Sequence, residues 1–391
     1  MSVLVLTPWS PSPHPRDRSH RRRRAWIVAS LALGVLVVPL QAVASAAKAP
    51  PTGPAKHVFV IMLENESYNT TWSAGSAAPY LATTLRRQGV LLTNYYGIGH
   101  VSLPNYVAEI SGQGPSLSTQ GDCTTYKDFT ATGTGTLGQV LGDGCVYPSS
   151  VKTIADQLTA KGLTWKSYQE DMANSTTEPT TCRHPVLGSP DPTVVARLGD
   201  EYATRHNPFV YFHSIIDSPS CAANVVDLKA LPADLASIRT TPNFSFITPN
   251  LCDDGHDSPC VDGQRGGLVS ANQWLQTWVP RILASPAYKK DGMVVITTDE
   301  AEASGVGLDA TACCHEAQAP NVTAAGDTGP GGGRVGALVL SRFVKPGSTA
   351  TTPYNHYSLL CSLENTFGLA HLGYAATPGL QCFGKDVYQR P

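Results

Sequence analysis

Two strongly apolar runs end abruptly in acidic or amide oxygens: HVFVIMLENES at residues 57–67 and GMVVITTDEAE at residues 292–302. Unbroken Val, Ile, Leu and Met runs suit parallel strands covered on both faces, and in such sheets functional groups collect at the carboxyl ends of the strands. Glu64, Asn65, Asp299 and Glu300 are therefore expected to be neighbours. Carboxylates gathered beside a core need a cation or a proton to offset their charge, which points to a divalent metal.

Four further segments carry ligand-type residues. In GIGHVSLPNYVAEISG, residues 97–112, Ser102 stands where a helix should start, and Pro104 suits the first turn. Free backbone N–H groups there favour an anion, so Ser102 is placed to attack phosphorus; a helix-capping serine is the commoner role. His100, two residues earlier, is within reach of a leaving group. LCDDGHD, residues 251–257, supplies Asp254 and His256, which suit a second cation or a phosphate clamp; the alternative is an Asx-rich turn pinned by Cys252 and Cys260. YNHYSLL, residues 354–360, opens a helix with His356 near its start, where a neutral imidazole is favoured for coordination or for a hydrogen bond to phosphate. His206 in RHNPFVYF either lines the site or caps a turn. No GK[ST] follows Gly331–Arg334, and no GxSxG elbow is present, which argues against a phosphate loop and a lipase-type serine hydrolase.

The elements that must position these residues alternate. The pattern predicts strands at 57–63, 90–95, 164–168, 243–247, 293–298 and 334–340, with helices at 79–88, 151–161, 228–239 and 270–284. Such alternation implies an α/β fold with a mostly parallel sheet. Residues 116–150, rich in Gly, Thr and Ser, read as a disulfide-stapled surface insertion.

At the N-terminus, Arg21–Arg24, the apolar stretch 25–40 and Ala44-Ser45-Ala46 follow the order of an export signal, read here as residues 1–46. A Pro/Ala-rich lead-in at 47–56 and a single catalytic domain at 57–391 complete the expected organisation. Secretion by the general or twin-arginine route follows, and no stable membrane span is expected, since the apolar run is short for one. Ten cysteines in an exported chain read as disulfides, with Cys123–Cys145, Cys252–Cys260 and Cys361–Cys382 as plausible local pairs. A formal net charge of -2, with 15% charged residues, gives no basic face for nucleic acid.

Taken together, MLENESY, GHVSLPNYVAEISG, RHNPFVYFHSI, PNLCDDGHD, VVITTDEAEASG, GGGRVGALVLS and YNHYSLL occur in order over nearly the whole chain after the signal. In this the chain resembles the phosphoesterase family of acid phosphatases and non-specific phospholipases C, within the alkaline phosphatase superfamily. The resemblance implies a three-layer α/β/α sandwich with a mostly parallel central sheet. It also implies that Glu64, Asn65, Ser102, Asp299 and Glu300 hold the metal, with Ser102 the nucleophile that becomes phosphorylated. Asp254, His256 and His356 would hold phosphate or a second cation. Calcium, magnesium or manganese suits the oxygen-rich ligands best, with zinc also admitted.

The chain departs from the family where Glu66 and Asn69 replace the usual arginine and aspartate, Val101 replaces a proline, and Ala301 and Glu302 replace glycines. The expected activity is a phosphomonoesterase of acid-phosphatase type, acting on a small phosphate ester or a phospholipid headgroup. The alternatives are a phospholipase C or other phosphodiesterase and, in a different class, a non-catalytic phosphate- or surface-binding protein. A sulfatase is disfavoured because Ser102–Tyr106 lacks the arginine of that class's motif.

Overall fold

A computed structural model of the chain describes residues 55–389, apart from 306, 317 and 327–328. The expected export signal lies outside the described residues. The described residues all belong to one compact unit.

An eight-stranded sheet runs through its centre. The strands are β1 (His57–Leu63), β2 (Val90–Leu92), β3 (Trp165–Gln169), β4 (Val225–Asp227), β5 (Phe244–Thr248), β6 (Gly292–Thr298), β7 (Ala337–Ser341) and β8 (Ser348–Ala350), in spatial order β8-β2-β7-β6-β1-β5-β3-β4. β7 is antiparallel to both its neighbours, β6 and β2, and every other pairing is parallel.

The unbroken apolar runs explain this placement. All seven residues of β1 and all seven of β6 are buried, which requires cover on both faces. Along β1, Val58, Val60 and Met62 pack on one side, with α1 (Ser102–Ser111) and α4 (His356–Phe367), while Phe59, Ile61 and Leu63 pack on the other, with α3 (Gly267–Ala284). Two cores on opposite faces of one sheet make a three-layer α/β/α sandwich. Each such side chain contributes roughly 1.5–3 kcal/mol on burial.

The expected elements differ mainly at their edges. α2 (Ile154–Ala160) starts three residues later than predicted, because the Thr153 and Asp156 capping box fixes its first turn. The predicted helix at 79–88 is a π-helical turn, Tyr80–Leu85, followed by a 3-10 turn, Arg86–Gln88. The predicted helix at 228–239 is reduced to short turns over Leu228–Ala230 and Leu231–Asp234. β7 begins at Ala337 because Gly332 and Gly333 are occupied by backbone bonds to Gly97 and Thr311. At Gly333, φ is +77° and a Cβ would stand 2.0 Å from the Asp309 carbonyl, so only glycine suits that approach.

All ten cysteines are paired, in Cys123–Cys145, Cys182–Cys221, Cys252–Cys260, Cys313–Cys314 and Cys361–Cys382. The three local pairs expected from sequence form, and no thiolate remains for a zinc-cysteine site. Among the described residues no helix is long and apolar enough to cross a membrane.

Acids also gather beyond the ends of β3 and β5. Asn250 donates from its backbone N–H to Glu170 at 3.1 Å and from Nδ2 to Asp171 at 2.8 Å. Burial, then the charge of Asp253, pushes the Glu170 carboxyl up to about 8, and burial with Asp171 pushes Glu201 up to about 7. A carboxyl whose folded-state pKa is raised contributes stability that is fully present below its unfolded pKa, ordinarily about 4.3, and is lost as pH rises through the folded value. Denaturant unfolding should therefore show stability falling from the ordinary carboxyl range towards about pH 8, with a shallower fall in Glu170→Gln. Equal slopes in the two proteins would contradict the assignment.

Candidate active site

β1 and β6 lie side by side in register, Leu63 against Thr298, so the residues that follow them emerge together. The two strand ends are laced. Asp299 N–H donates to the Leu63 carbonyl at 3.0 Å, Asn65 N–H donates to Asp299 Oδ1 at 3.0 Å, and Glu66 N–H donates to the Glu300 carbonyl at 3.1 Å. Asn65 takes φ +48°, the left-handed conformation that asparagine tolerates best among non-glycine residues. Glu64, Asp299 and Glu300 are each at most 1% exposed.

Ser102 is the first residue of α1 and donates its hydroxyl hydrogen to Glu64 Oε1. The loop before it is held by Asn105, whose Oδ1 accepts from the N–H groups of Ile98 (2.7 Å) and Gly99 (3.1 Å) while Nδ2 donates to the carbonyls of Gly99 (2.9 Å) and Val101 (3.1 Å). Val101 is thereby kept at φ +58°, an unfavourable conformation for a β-branched residue. The strain turns Ser102 towards the carboxylates.

His206 and Asp254 complete a second group around Glu64. His206 Nε2 abuts Glu64 Oε2, its Nδ1 stands 3.8 Å from Asp254 Oδ2, and its ring stacks on Tyr106 at 5.2 Å. Two sets of donor atoms lie within 4.8 Å of one another, Glu64/Asp299/Glu300 and Glu64/His206/Asp254, sharing Glu64. Asp254 Oδ2 and Asp299 Oδ2 are buried without a hydrogen-bond partner, and Glu64 Oε2 meets His206 without hydrogen-bond geometry.

Electrostatics reflect that crowding. Burial, followed by the Glu64 charge, pushes Asp254, Asp299 and Glu300 well above the usual carboxylate range. Burial would raise Glu64 too, but the His206 ring, the Arg205 guanidinium and the Ser102 hydroxyl hold it below that range. Burial likewise lowers His206, against the pull of Glu64. The two shifts oppose each other, since a low Glu64 value needs a charged His206. The ionised Glu64 is the firmer of the two because Arg205 and Ser102 also support it.

The remaining sequence-derived residues occupy different depths. His256 is half-exposed and lines a cavity of about 450 Å³ with Asn65, Ser102, Asp122, Arg205 and Glu300. His100 is buried, with Nδ1 on Glu300 Oε2 and Nε2 donating to the Asp309 carbonyl at 3.1 Å. It braces a carboxylate and does not face the cavity. His356 is fully buried behind the site: Nε2 donates to the Asp299 carbonyl at 2.5 Å, and Nδ1 accepts from the Tyr95 hydroxyl at 3.0 Å, with Glu109 Oε1 at 3.4 Å.

Three participants escaped the sequence reading. Arg205 places a guanidinium at the cavity wall, its Nε 3.8 Å from Asp122 Oδ2, and its position beside His206 was the available signal. Asn105, three residues after Ser102, was equally visible. Asp122 accepts from Leu103 N–H at 3.0 Å but comes from the insertion, where nothing local marks it.

The chain is 28% identical over 348 residues to the phosphate-repressible acid phosphatase of Penicillium chrysogenum, covering 86% of this chain and 67% of that protein. It spans 59% and 55% of two other fungal relatives. Against the phosphatidylinositol-3-phosphatase of Mycobacterium tuberculosis it is 24% identical, covering 89% of this chain and 88% of that one. Among solved structures, an alkaline phosphatase superfamily protein from Vibrio parahaemolyticus superposes with a TM-score of 0.47 at 15% identity, over 83% of this chain and 69% of that one. That likeness is too distant to add to what the sheet itself shows. The model of the Phosphoesterase family matches residues 70–370, and the chain belongs to that family of hydrolases acting on phosphoric ester bonds.

Proposed function

We propose that the protein is an exported, metal-dependent phosphomonoesterase of acid-phosphatase type that works through a phosphoserine at Ser102. The observation that carries this reading is Ser102 at the start of α1, hydrogen-bonded to Glu64 and walled by buried carboxylates with unpartnered oxygens. Such a group is costly without a cation, and its donor set of carboxylate, amide and hydroxyl oxygens fits calcium, magnesium or manganese. Glu64, Asn65, Ser102, Asp299 and Glu300 would hold it. When bound, the ion supplies Lewis-acid stabilisation of charge that develops on the phosphoryl group.

The chain's own residues do the rest. Glu64 Oε1 orients the Ser102 hydroxyl and takes its proton as the Oγ–P bond forms and the ester P–O bond breaks. The leaving alcohol oxygen collects a proton from His256 at the cavity wall. Arg205, with His206 behind Glu64, offsets phosphoryl charge. Water then cleaves the phosphoserine P–O bond, releasing inorganic phosphate and restoring the hydroxyl. His100 and His356 act as positioning residues through Glu300 and the Asp299 carbonyl. The similarity to fungal acid phosphatases, and to a phosphatase whose name specifies a lipid monoester, supports monoester over diester hydrolysis. Five disulfides support an oxidising, exported setting.

Ser102→Ala should lower p-nitrophenyl phosphate turnover by roughly a thousandfold or more while leaving the unfolding midpoint close to that of the parent. Turnover at the parental rate would remove Ser102 from the nucleophile role. Arg205→Ala should raise KM for the same monoester about tenfold or more, because a charge-assisted contact to phosphate is lost. Exhaustive chelation should abolish activity and lower the thermal midpoint, with both restored by an added divalent cation. Chelated protein that keeps full activity would overturn metal dependence.

A further inference from the structure

The chain between Cys182 and Asp200 leaves the core and presents apolar side chains to solvent. Val186, Leu187, Val194, Val195 and Leu198 are 77, 42, 40, 72 and 76% exposed. Among the described residues they are five of the nine large apolar side chains that are more than a third exposed, and they fall within one loop. Concentrations of that kind mark contact surfaces, whereas single exposed apolar residues need no explanation.

The loop is pinned at its base. The Cys182–Cys221 disulfide fixes its entry, and the buried Arg183 guanidinium holds both Asp200 oxygens at 2.7 and 2.8 Å. Backbone bonds join Arg197 and Asp200 in both directions, at 3.2 and 2.9 Å. Midway, Thr193 Oγ1 accepts from Thr204 N–H at 2.8 Å. The apolar side chains are therefore held outward by a cross-linked frame.

Two observations point to what they meet. The first is continuity with the catalytic cleft: Asp191 and Val194 line the same cavity as Ser102 and His256, and Arg205 Nη1 donates to the Val194 carbonyl at 3.2 Å. The second is charge. Of the two ionisable residues in 185–199, Asp191 is buried and accepts from Thr193 N–H, so Arg197 is the charge the loop exposes. A small soluble ester needs no apolar rim. A phosphoester headgroup at a lipid surface brings hydrocarbon below it and anionic phosphates around it, which suits valine and leucine flanking an arginine.

We propose that the Val186–Leu198 loop docks the catalytic cleft on a phospholipid bilayer. Val195 and Leu198 enter the acyl boundary, Arg197 meets lipid phosphates, and the cleft faces a headgroup phosphoester. The inference rests on the phosphoesterase reading of the cleft.

The test uses the compact unit Ala46–Pro391, sedimented with vesicles of phosphatidylcholine containing a minor fraction of phosphatidylserine. The parent should co-sediment, and Val195→Ser/Leu198→Ser should weaken partitioning about tenfold or more. Ile238→Ser, an exposed apolar change elsewhere, should bind as the parent does. Turnover of soluble p-nitrophenyl phosphate by the double variant should equal the parental rate, which also reports correct folding. A parent that stays in the supernatant with turnover intact would overturn the docking proposal alone, as would a double variant that binds vesicles like the parent. Loop-dependent self-association without vesicle binding would overturn it in favour of a protein contact. Loop-dependent vesicle binding by protein that hydrolyses no phosphoester would uphold the docking surface and overturn the reading of the site.

Discussion

Four carboxyl groups, Glu64, Asp254, Asp299 and Glu300, are brought within one buried pocket, and the rest of the structure is organised around the cost of keeping them there. Each is at most 1% exposed. Burial and mutual repulsion oppose ionisation of three of them, and Glu64 is ionised only because His206, Arg205 and Ser102 face it. An arrangement of this type is stable only with a proton or a cation in it. Asp254 Oδ2 and Asp299 Oδ2, buried without a hydrogen-bond partner, carry the largest share of that cost.

Holding those groups apart from water requires rigid supports, and the sheet supplies them. β1 and β6 are buried on both faces, so a slide of one residue would exchange every side chain between two separately packed cores. Around this frame Asn65, Val101 and Asp122, all three lining the cavity, are held at positive φ. Asn105 offsets the strain at Val101 with four hydrogen bonds. His100 and His356 brace the carboxylate strand end from two sides, through Glu300 and the Asp299 carbonyl. This gives two histidines of the assembled motifs a role in fixing the strand end that carries Asp299 and Glu300.

The cleft that results is asymmetric. Its floor is acidic, its wall carries Arg205 and His256, and one rim continues into the exposed apolar loop. The buried polar groups and the exposed apolar loop thus come from different parts of the chain and meet at the cavity through Asp191 and Val194.

Much of this was legible in the amino-acid order, for identifiable reasons. Apolar runs that end in Glu64-Asn65 and Asp299-Glu300 specify doubly covered strands and the place where their ligands emerge, because side-chain alternation and burial are local properties. The closely spaced cysteine pairs were legible because short loops bring their sulfurs together. Tertiary structure decided what depends on long-range approach: Asp122 arriving from the insertion, Cys182 pairing with Cys221, and the depth at which each histidine sits. His256 and His356 look alike in sequence, each within a polar motif near an element boundary, yet one lines the cleft and the other is sealed beneath it. That difference is set by the packing of α4 against α1 and by the carbonyl of Asp299, contacts between residues far apart along the chain, which local composition does not encode.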